Sequence, residues 1–302
     1  MAIYVISVGK SILDFLRDPC SKVDEEVDER FERAAKEVLS LAEKPVSDEV
    51  SETLENWLKD KDKVSLELAK LIERLAPAHW PASVSAELDT FDKATRLRAR
   101  LTTGNTAVLI TSDTAQGLVS ALWNALVLTG GDAKRVNYLP ELPGSLQGMR
   151  GTAVIARVPQ LDARNADDFR AAMGYLGELG RKLLRDVHQE CENIRFYLSG
   201  GFKATIPYLI GLAEGMRSCA PGEVTACVLH EATEATIELP LRRLFPGTVR
   251  EELKPFRAGN VSNSEPGGLL EGYAYEKTSD GRWELTAFGA GLRALYKGNE
   301  VI

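Results

Sequence analysis

The sequence predicts an α/β fold in which a mainly parallel sheet is covered by helices on both faces. Short apolar runs rich in β-branched residues alternate along the chain with segments of helical period. Strands of this apolar kind are typical of parallel sheets that are buried on both sides. Polar or glycine-containing turns follow three of the runs. Because the carboxyl ends of parallel strands share one edge of a sheet, the pattern predicts a ligand site at that edge.

Composition and charge limit the class of protein. The chain has 302 residues, a length that fits one large domain or one domain plus a small second one, and its formal net charge is −7. An acidic balance argues against broad, non-specific binding of nucleic acid. The four cysteines lack a CxxC spacing and the three histidines form no metal pattern, so we expect no disulfide framework and no metal site. We also expect a cytoplasmic location, because the sequence has no membrane-spanning run and no signal peptide.

The first predicted strand, Ile3 to Val8, ends in a short polar turn. Gly9, Lys10 and Ser11 form this turn, and an amphipathic helix follows from Ile12 to Leu16. A lysine and a serine at the tip of such a turn suit an anion. The alternative is a serine that caps the helix beside an exposed lysine.

A highly charged stretch, Asp24 to Leu75, has helical period and is predicted to form a helical insertion with a mostly solvated surface. The next strand, Thr106 to Thr111, is followed by Ser112-Asp113-Thr114 and a helix from Leu118 to Leu128. These polar residues suit ribose or base contacts, and they suit helix capping equally well. Further strands are predicted at Val136 to Leu139, Val154 to Val158, Ile194 to Leu198 and, as the last of the series, Val224 to Leu229; a helix is predicted at Phe169 to Cys191.

A glycine pair and a lysine follow the strand Ile194 to Leu198. The stretch consists of Ser199, Gly200, Gly201, Phe202, Lys203, Ala204 and Thr205, with an apolar helix behind it. Glycines let the backbone turn sharply and approach a ligand closely. A helix N-terminus offers unpaired N–H groups and the positive end of its dipole, and Lys203 adds a full charge. The stretch therefore predicts a phosphate site, the alternative being a plain strand-to-helix turn.

The composition of the chain changes at Arg243. A proline- and glycine-rich segment, interpreted as linker-rich, precedes a predicted hairpin of Gly272 to Lys277 and Trp283 to Thr286, with Asp280-Gly281 as the turn. A closing helix runs from Phe288 to Tyr296. We therefore expect two domains, residues 1–242 and residues 243–302, of which the second is too small for an ordinary catalytic domain.

The polar turns carry a resemblance to a known family. It rests on IYVISVGKSIL at the start, SAEL at Ser85 to Leu88, LITSDTAQG at Leu109 to Gly117, FYLSGGFKATIPYL at Phe196 to Leu209 and VLHEATEATIELPL at Val228 to Leu241. Over about Met1 to Arg243 the chain resembles the CRISPR-associated Rossmann-fold (CARF) proteins, especially the standalone ring nucleases. Lys10, where a small residue is common, and the long acidic insertion depart from that pattern.

The resemblance implies a Rossmann-like domain, a winged-helix-like α+β tail and a homodimer that binds cyclic oligoadenylate, cyclic tetra-adenylate being the favoured ring. It further implies that the ring is cleaved, without a metal ion or cofactor, to linear di-adenylates that end in 2′,3′-cyclic phosphate. This cleavage would switch off type III CRISPR signalling. The catalytic residues are then Lys203 and Ser11. The ligand-binding residues are Gly9, Lys10, Ser112, Asp113, Thr114, Ser199, Gly200, Gly201, Phe202 and Thr205.

Two alternatives remain open at this point. The pocket could only sense the ring, with the tail contacting DNA as a regulator or docking a partner effector. A nucleotide-dependent metabolic enzyme is a further alternative, although no G-x-G-x-x-G follows the first strand.

Overall fold

The computed structural model describes residues 2–18, 29–43, 47–59, 85–161, 165–187, 193–201, 203–220, 222–230 and 235–298 of the chain. The strands are β1 (Ala2–Ser7), β2 (Thr106–Thr111), β3 (Val136–Leu139), β4 (Ala153–Arg157), β5 (Asn193–Tyr197), β6 (Glu223–Val228), β7 (Ile237–Leu239), β8 (Val261–Ser262), β9 (Tyr275–Lys277) and β10 (Trp283–Leu285). The α-helices are α1 (Ser11–Arg17), α2 (Glu29–Ala42), α3 (Ser47–Lys59), α4 (Ala86–Thr95), α5 (Ala115–Thr129), α6 (Ala166–Lys182), α7 (Ile206–Cys219), α8 (Pro246–Glu252) and α9 (Ala287–Leu295). Single 3₁₀ turns lie at Ala133–Arg135, Lys203–Thr205 and Lys254–Phe256, and a π turn at Leu183–Val187.

The main sheet confirms the predicted α/β class. Its described strands lie in the order β3-β4-β2-β1-β5-β6-β7, and every neighbouring pair is parallel except β6 with β7. From β1 the chain moves to β2 on one side and returns later to β5 on the other. The strand order therefore reverses at β1, and the loops that follow β1 and β5 lie side by side at the sheet edge.

Burial on both faces explains why β1 is apolar without alternation. All six of its residues are buried. Tyr4 and Ile6 belong to an apolar cluster that includes residues of α1 and α5, whereas Ile3 and Val5 belong to a second cluster with residues of α6 and α7. Successive side chains of a strand point to opposite faces, so a strand between two helical layers needs apolar residues at every position.

The charged insertion contributes helices to the first layer. Both α2 and α3 pack against α5. Ala35 of α2 and Leu54 of α3 are buried at 3% and 0% exposure. The insertion is therefore partly a layer of the core and not only a solvated surface, while residues 19–28, 44–46 and 60–84 lie outside the described residues.

The end of the chain differs from prediction in two places. The strand predicted as the last of the main sheet is followed by β7, which pairs with it in the antiparallel sense and lies at the edge of the sheet. The linker-rich segment contains α8 and a 3₁₀ turn, since Val249, Leu253 and Phe256 supply buried apolar groups that a linker would lack.

The predicted hairpin is confirmed as β9 and β10, with Gly281 at φ +83° in the turn, and β8 adds a third strand to this small antiparallel sheet. Helix α9 packs along α6 so closely that a Cβ on Gly177 would meet the carbonyl oxygen of Gly291.

Within the described part of the chain, no helix combines the length and the apolar character needed to cross a bilayer.

Candidate functional site

The loops after β1 and β5 touch each other through their glycines. A Cβ on Gly9 would lie 2.7 Å from the backbone nitrogen of Gly201 and 3.1 Å from Oε1 of Glu87. Gly201 has φ +94°, in the left-handed region that favours glycine. A Cβ on Gly200 would collide with the Glu87 carboxylate and with the carbonyl oxygen of Ser7. The three predicted glycines thus allow two backbones and one carboxylate to share a space that side chains would fill.

The carboxylate of Glu87 joins the loop after β1 to the start of α4. It is 2% exposed. The backbone N–H of Gly9 donates to its Oε1 at 2.5 Å, and the hydroxyls of Ser85 and Ser11 donate to its Oε2 at 2.5 and 3.3 Å. A buried carboxylate is expensive unless it accepts several hydrogen bonds, and here it has three donors. The hydrogen bond from the Gly9 amide therefore fixes the loop after β1 against the start of α4.

Ser11 is held from two sides. Its Oγ accepts a hydrogen bond from the backbone N–H of Ala86 at 3.2 Å and donates to Glu87. The alternative in which Ser11 caps the first helix is wrong, because Lys10 is the N-cap residue of α1 and Ser11 is the first helical residue. Lys10 is exposed at the mouth of the loop.

Two further serines fix the loop after β5. The Ser7 hydroxyl donates to the carbonyl oxygen of Gly200 at 2.7 Å. Ser199 Oγ accepts from the backbone N–H of Leu229 at 2.7 Å and lies 2.7 Å from Oγ1 of Thr90. The predicted site residue Ser199 therefore ties its loop to the end of β6 and to α4.

Lys203 follows this loop and is exposed. It begins the 3₁₀ turn Lys203–Thr205, and α7, the apolar helix predicted behind this stretch, follows at Ile206. Thr205 is 3% exposed and lines a small cleft together with Ser7, Ser112 and Gly201. Three predicted site residues therefore meet in one cleft at the sheet edge. Phe202, a further predicted site residue, lies outside the described residues.

The polar residues after β2 are used mainly within the protein. Thr114 caps α5 by accepting from the N–H of Gly117 at 3.1 Å, and Ser112 Oγ lies 2.9 Å from its hydroxyl. Asp113 accepts from Nε of Arg157 at 2.7 Å and from the N–H of Gln160 at 3.0 Å. The capping alternative is thus confirmed for Thr114.

Arg157 stands at the centre of an ion-pair network. Burial lowers its pKa, but hydrogen bonds to Asp113 and Asp48 outweigh that effect, so its pKa lies above the ordinary value. A cation held by two carboxylates stabilises the loops after β2 and β4. Its own charge is neutralised locally and contributes little attraction for a ligand.

Glu87 is the site residue that sequence reasoning missed. Its segment, SAEL, was noted for its resemblance alone, because a glutamate in the first turn of a helix usually serves the helix dipole. The signal that could have pointed to it is Ser85, which precedes it in a capping position and accepts from the N–H of Leu88 at 3.4 Å.

Among the described residues, no group of three or more His, Cys, Asp or Glu side chains could hold a metal ion.

A comparison with known families decides the affiliation of the chain. A family model described as CRISPR-associated protein (Cas_APE2256) matches residues 82–242, which is more than half of the 302 residues. The chain belongs to this family. The match includes Glu87, the loop after β2 and the whole glycine–lysine stretch, and it excludes Ser11 and the residues after 242. No curated protein matches this CRISPR-associated chain.

Proposed function

We propose that this CRISPR-associated protein is a CARF-type ring nuclease, which binds cyclic oligoadenylate as a homodimer and cleaves it without a metal ion. One observation carries the proposal: the loops after β1 and β5 meet at the reversal of strand order, with exposed Lys203 beside the glycine turn and Ser11 held at the neighbouring loop. Membership of a CRISPR-associated family supports the same signalling context.

Symmetry favours a ring as the ligand. Identical adenylate units repeat around a cyclic oligoadenylate, so a two-fold dimer can hold opposite units by paired identical contacts. Cyclic tetra-adenylate, with an even number of units, suits such a dimer and would be cut twice. Each protomer would then supply one Lys203, one glycine turn and one Ser11.

The proposed chemistry needs no water and no metal. The ribose 2′-oxygen attacks the adjacent phosphorus, the bond from phosphorus to the 5′-oxygen breaks, and the 2′-proton replaces that bond on the leaving oxygen. The products are two linear di-adenylates with 2′,3′-cyclic phosphate and 5′-hydroxyl ends. Because the nucleophile is already tethered to its target, the protein has to align the attack and stabilise charge on the phosphorane oxygens. The positive charge of Lys203 supplies this stabilisation.

The hydrogen bonds of Ser11 favour one role for it. Its proton is directed toward Glu87 and one lone pair faces the N–H of Ala86. The remaining lone pair of Oγ can accept a hydrogen bond from the 2′-hydroxyl and orient it for attack. Ser11 is then a catalytic residue, and Glu87 is a positioning residue that acts through it.

The test is ring cleavage by the purified full chain in EDTA. Labelled cyclic tetra-adenylate should be converted to di-adenylates with cyclic phosphate ends, identified by mass and by their resistance to phosphatase. Tight binding of an intact ring would instead support the alternative of a sensor that regulates transcription or a partner effector. If the ring is neither cleaved nor bound, the proposal is overturned.

A further inference from the structure

A cavity of about 600 Å³ lies in the C-terminal segment, between the region from Arg250 to Gly259 and the end of α9. We name it the tip cavity. Its lining includes four cations, Arg250, Arg257, Arg293 and Lys297, together with Glu178 of α6. The ligand site predicted in the loops after β1, β2 and β5 is called the strand-end site below, and none of its predicted residues is among the described lining residues of the tip cavity. Its volume is within the range of about 300–1,000 Å³ that small-molecule sites occupy.

The cavity is positive although the protein is acidic. Glu178 is the only carboxylate among the described lining residues, and it is already paired, with Arg181 at 2.5 Å and Lys182 at 3.8 Å. Burial raises the pKa of Glu178, but these cations and Lys297 outweigh it and hold the pKa below its ordinary value. Four cations therefore face the cavity against one described carboxylate of its lining, which is already paired, in a chain whose net charge is −7. Such a local concentration of charge attracts anions.

Arg250 is the residue that most needs an explanation. Its Nε and Nη2 atoms are buried and make no hydrogen bond to any group in the part of the chain that the structure describes. Arg293 differs, because it donates to the carbonyl oxygens of Phe256 and Gly259 and has a structural role. Buried guanidinium nitrogens without acceptors cost free energy, and an anion in the cavity would supply the acceptors.

The geometry points to a ligand class. We propose that the tip cavity binds a small anion that bears two or more phosphate groups. The planar fork of an arginine matches phosphate oxygens in pairs, and several cations around one cavity favour a ligand with several charges. A concave cavity whose lining includes Leu253 and Tyr296 fits a small molecule better than a duplex, whose phosphates need an exposed basic stripe.

Calorimetric titration of the full chain with inorganic pyrophosphate tests this proposal. We expect one site per chain, and binding that weakens by about tenfold or more in Arg250→Gln, since a charge-assisted pair is lost. Glu178→Gln should bind at least as tightly as the wild type. Arg282→Gln, the same change of charge on the exposed hairpin, should bind as the wild type does. Absence of binding, or equal weakening in Arg250→Gln and Arg282→Gln, would overturn the proposal.

The melting temperature separates a binding role of Arg250 from a structural one. Without ligand, Arg250→Gln should melt at or above the wild-type temperature, because the substitution removes a buried charge that lacks partners. Pyrophosphate should raise the melting temperature of the wild type, and it should raise that of Arg250→Gln less at the same concentration. A lower melting temperature together with unchanged binding would mean that Arg250 is structural and that the proposal is wrong.

Two further arms locate the ligand. Lys203→Ala should bind pyrophosphate as the wild type does; if it loses binding while Arg250→Gln keeps it, pyrophosphate occupies the strand-end site and the inference fails. If a short DNA duplex binds in an Arg250-dependent manner and pyrophosphate does not, the cavity belongs to a nucleic-acid surface and the inference fails as well. Ring cleavage is measured separately, so failure of either proposal is visible without the other.

Discussion

The turns after β5 and β2 resemble each other in sequence and differ in how they use their polar groups. Each contains hydroxyl residues and one charged residue between a buried strand and an apolar helix. After β2, Thr114 caps a helix and Asp113 holds Arg157. After β5, Lys203 is exposed, and no described residue forms an ion pair with it. A charged side chain at a strand end is therefore a stronger candidate for ligand binding when no described residue of its own chain already neutralises it.

Removal of the Lys203 charge should have the largest effect. We expect Lys203→Ala to lower the rate of ring cleavage by about 10²–10³-fold, the usual cost of losing one group that stabilises transition-state charge. Affinity for the ring should fall less, because the ground state carries less concentrated charge. Single-turnover rates and binding of the intact ring measure the two effects. Lys254→Ala, which removes an exposed lysine paired with Glu251, is the control; unchanged cleavage by Lys203→Ala would remove the lysine from the mechanism.

Glu87→Gln should have the next largest effect. An amide at this place leaves one of the three donors around it without an acceptor, so the free energy of unfolding should fall by ~1–3 kcal/mol. Ring cleavage should slow by about tenfold to a hundredfold, because Ser11 loses its orientation. Glu251→Gln, an exposed change of the same kind, should alter neither quantity.

A double-mutant cycle decides whether Glu87 acts through Ser11. If it does, Glu87→Gln should slow the Ser11→Ala variant far less than it slows the wild type. Additive losses of rate in the two variants would show that Glu87 influences cleavage by another route.

Asp113→Asn tests the opposite side of the comparison. The expected result is a loss of ~1.5–3 kcal/mol in the free energy of unfolding, since a charge-assisted hydrogen bond to the mostly buried Arg157 is weakened. Denaturant unfolding measures it, with Asp280→Asn on the exposed hairpin as the matched control. A rise in KM for the ring with little loss of stability would instead place Asp113 in the ligand site, as the sequence predicted.

The smallest effect is expected at Thr114. Thr114→Ala should lower the free energy of unfolding by about 1 kcal/mol through loss of the helix cap. Thr114→Ser keeps the hydroxyl and should retain most of that stability, as measured by thermal unfolding. A large loss of ring affinity in Thr114→Ala and not in Thr114→Ser would indicate a ligand contact by the hydroxyl.

The sequence predicted the described strands β1 to β6 closely and the turns between them well. These elements have strong local signals: buried strands are apolar at every position, and glycine marks the turn at Gly201 with its positive φ. Helix α8 and strand β7 were missed because each is short and lies among prolines or polar residues. Their formation depends on the packing of Val249 and on pairing with β6, which a local pattern does not reveal.

By itself, then, the sequence determined the α/β class, the order of the elements and the glycine–lysine turn, because backbone preference and hydrophobic period are local properties of the chain. Only the tertiary structure decided that Glu87 reaches Gly9, 78 residues earlier in the chain, and that Asp113 pairs with Arg157. It also decided that Arg250 and Arg293 face one cavity. Hydrogen bonds and charges act through space, so their partners are known only once packing has brought distant segments together.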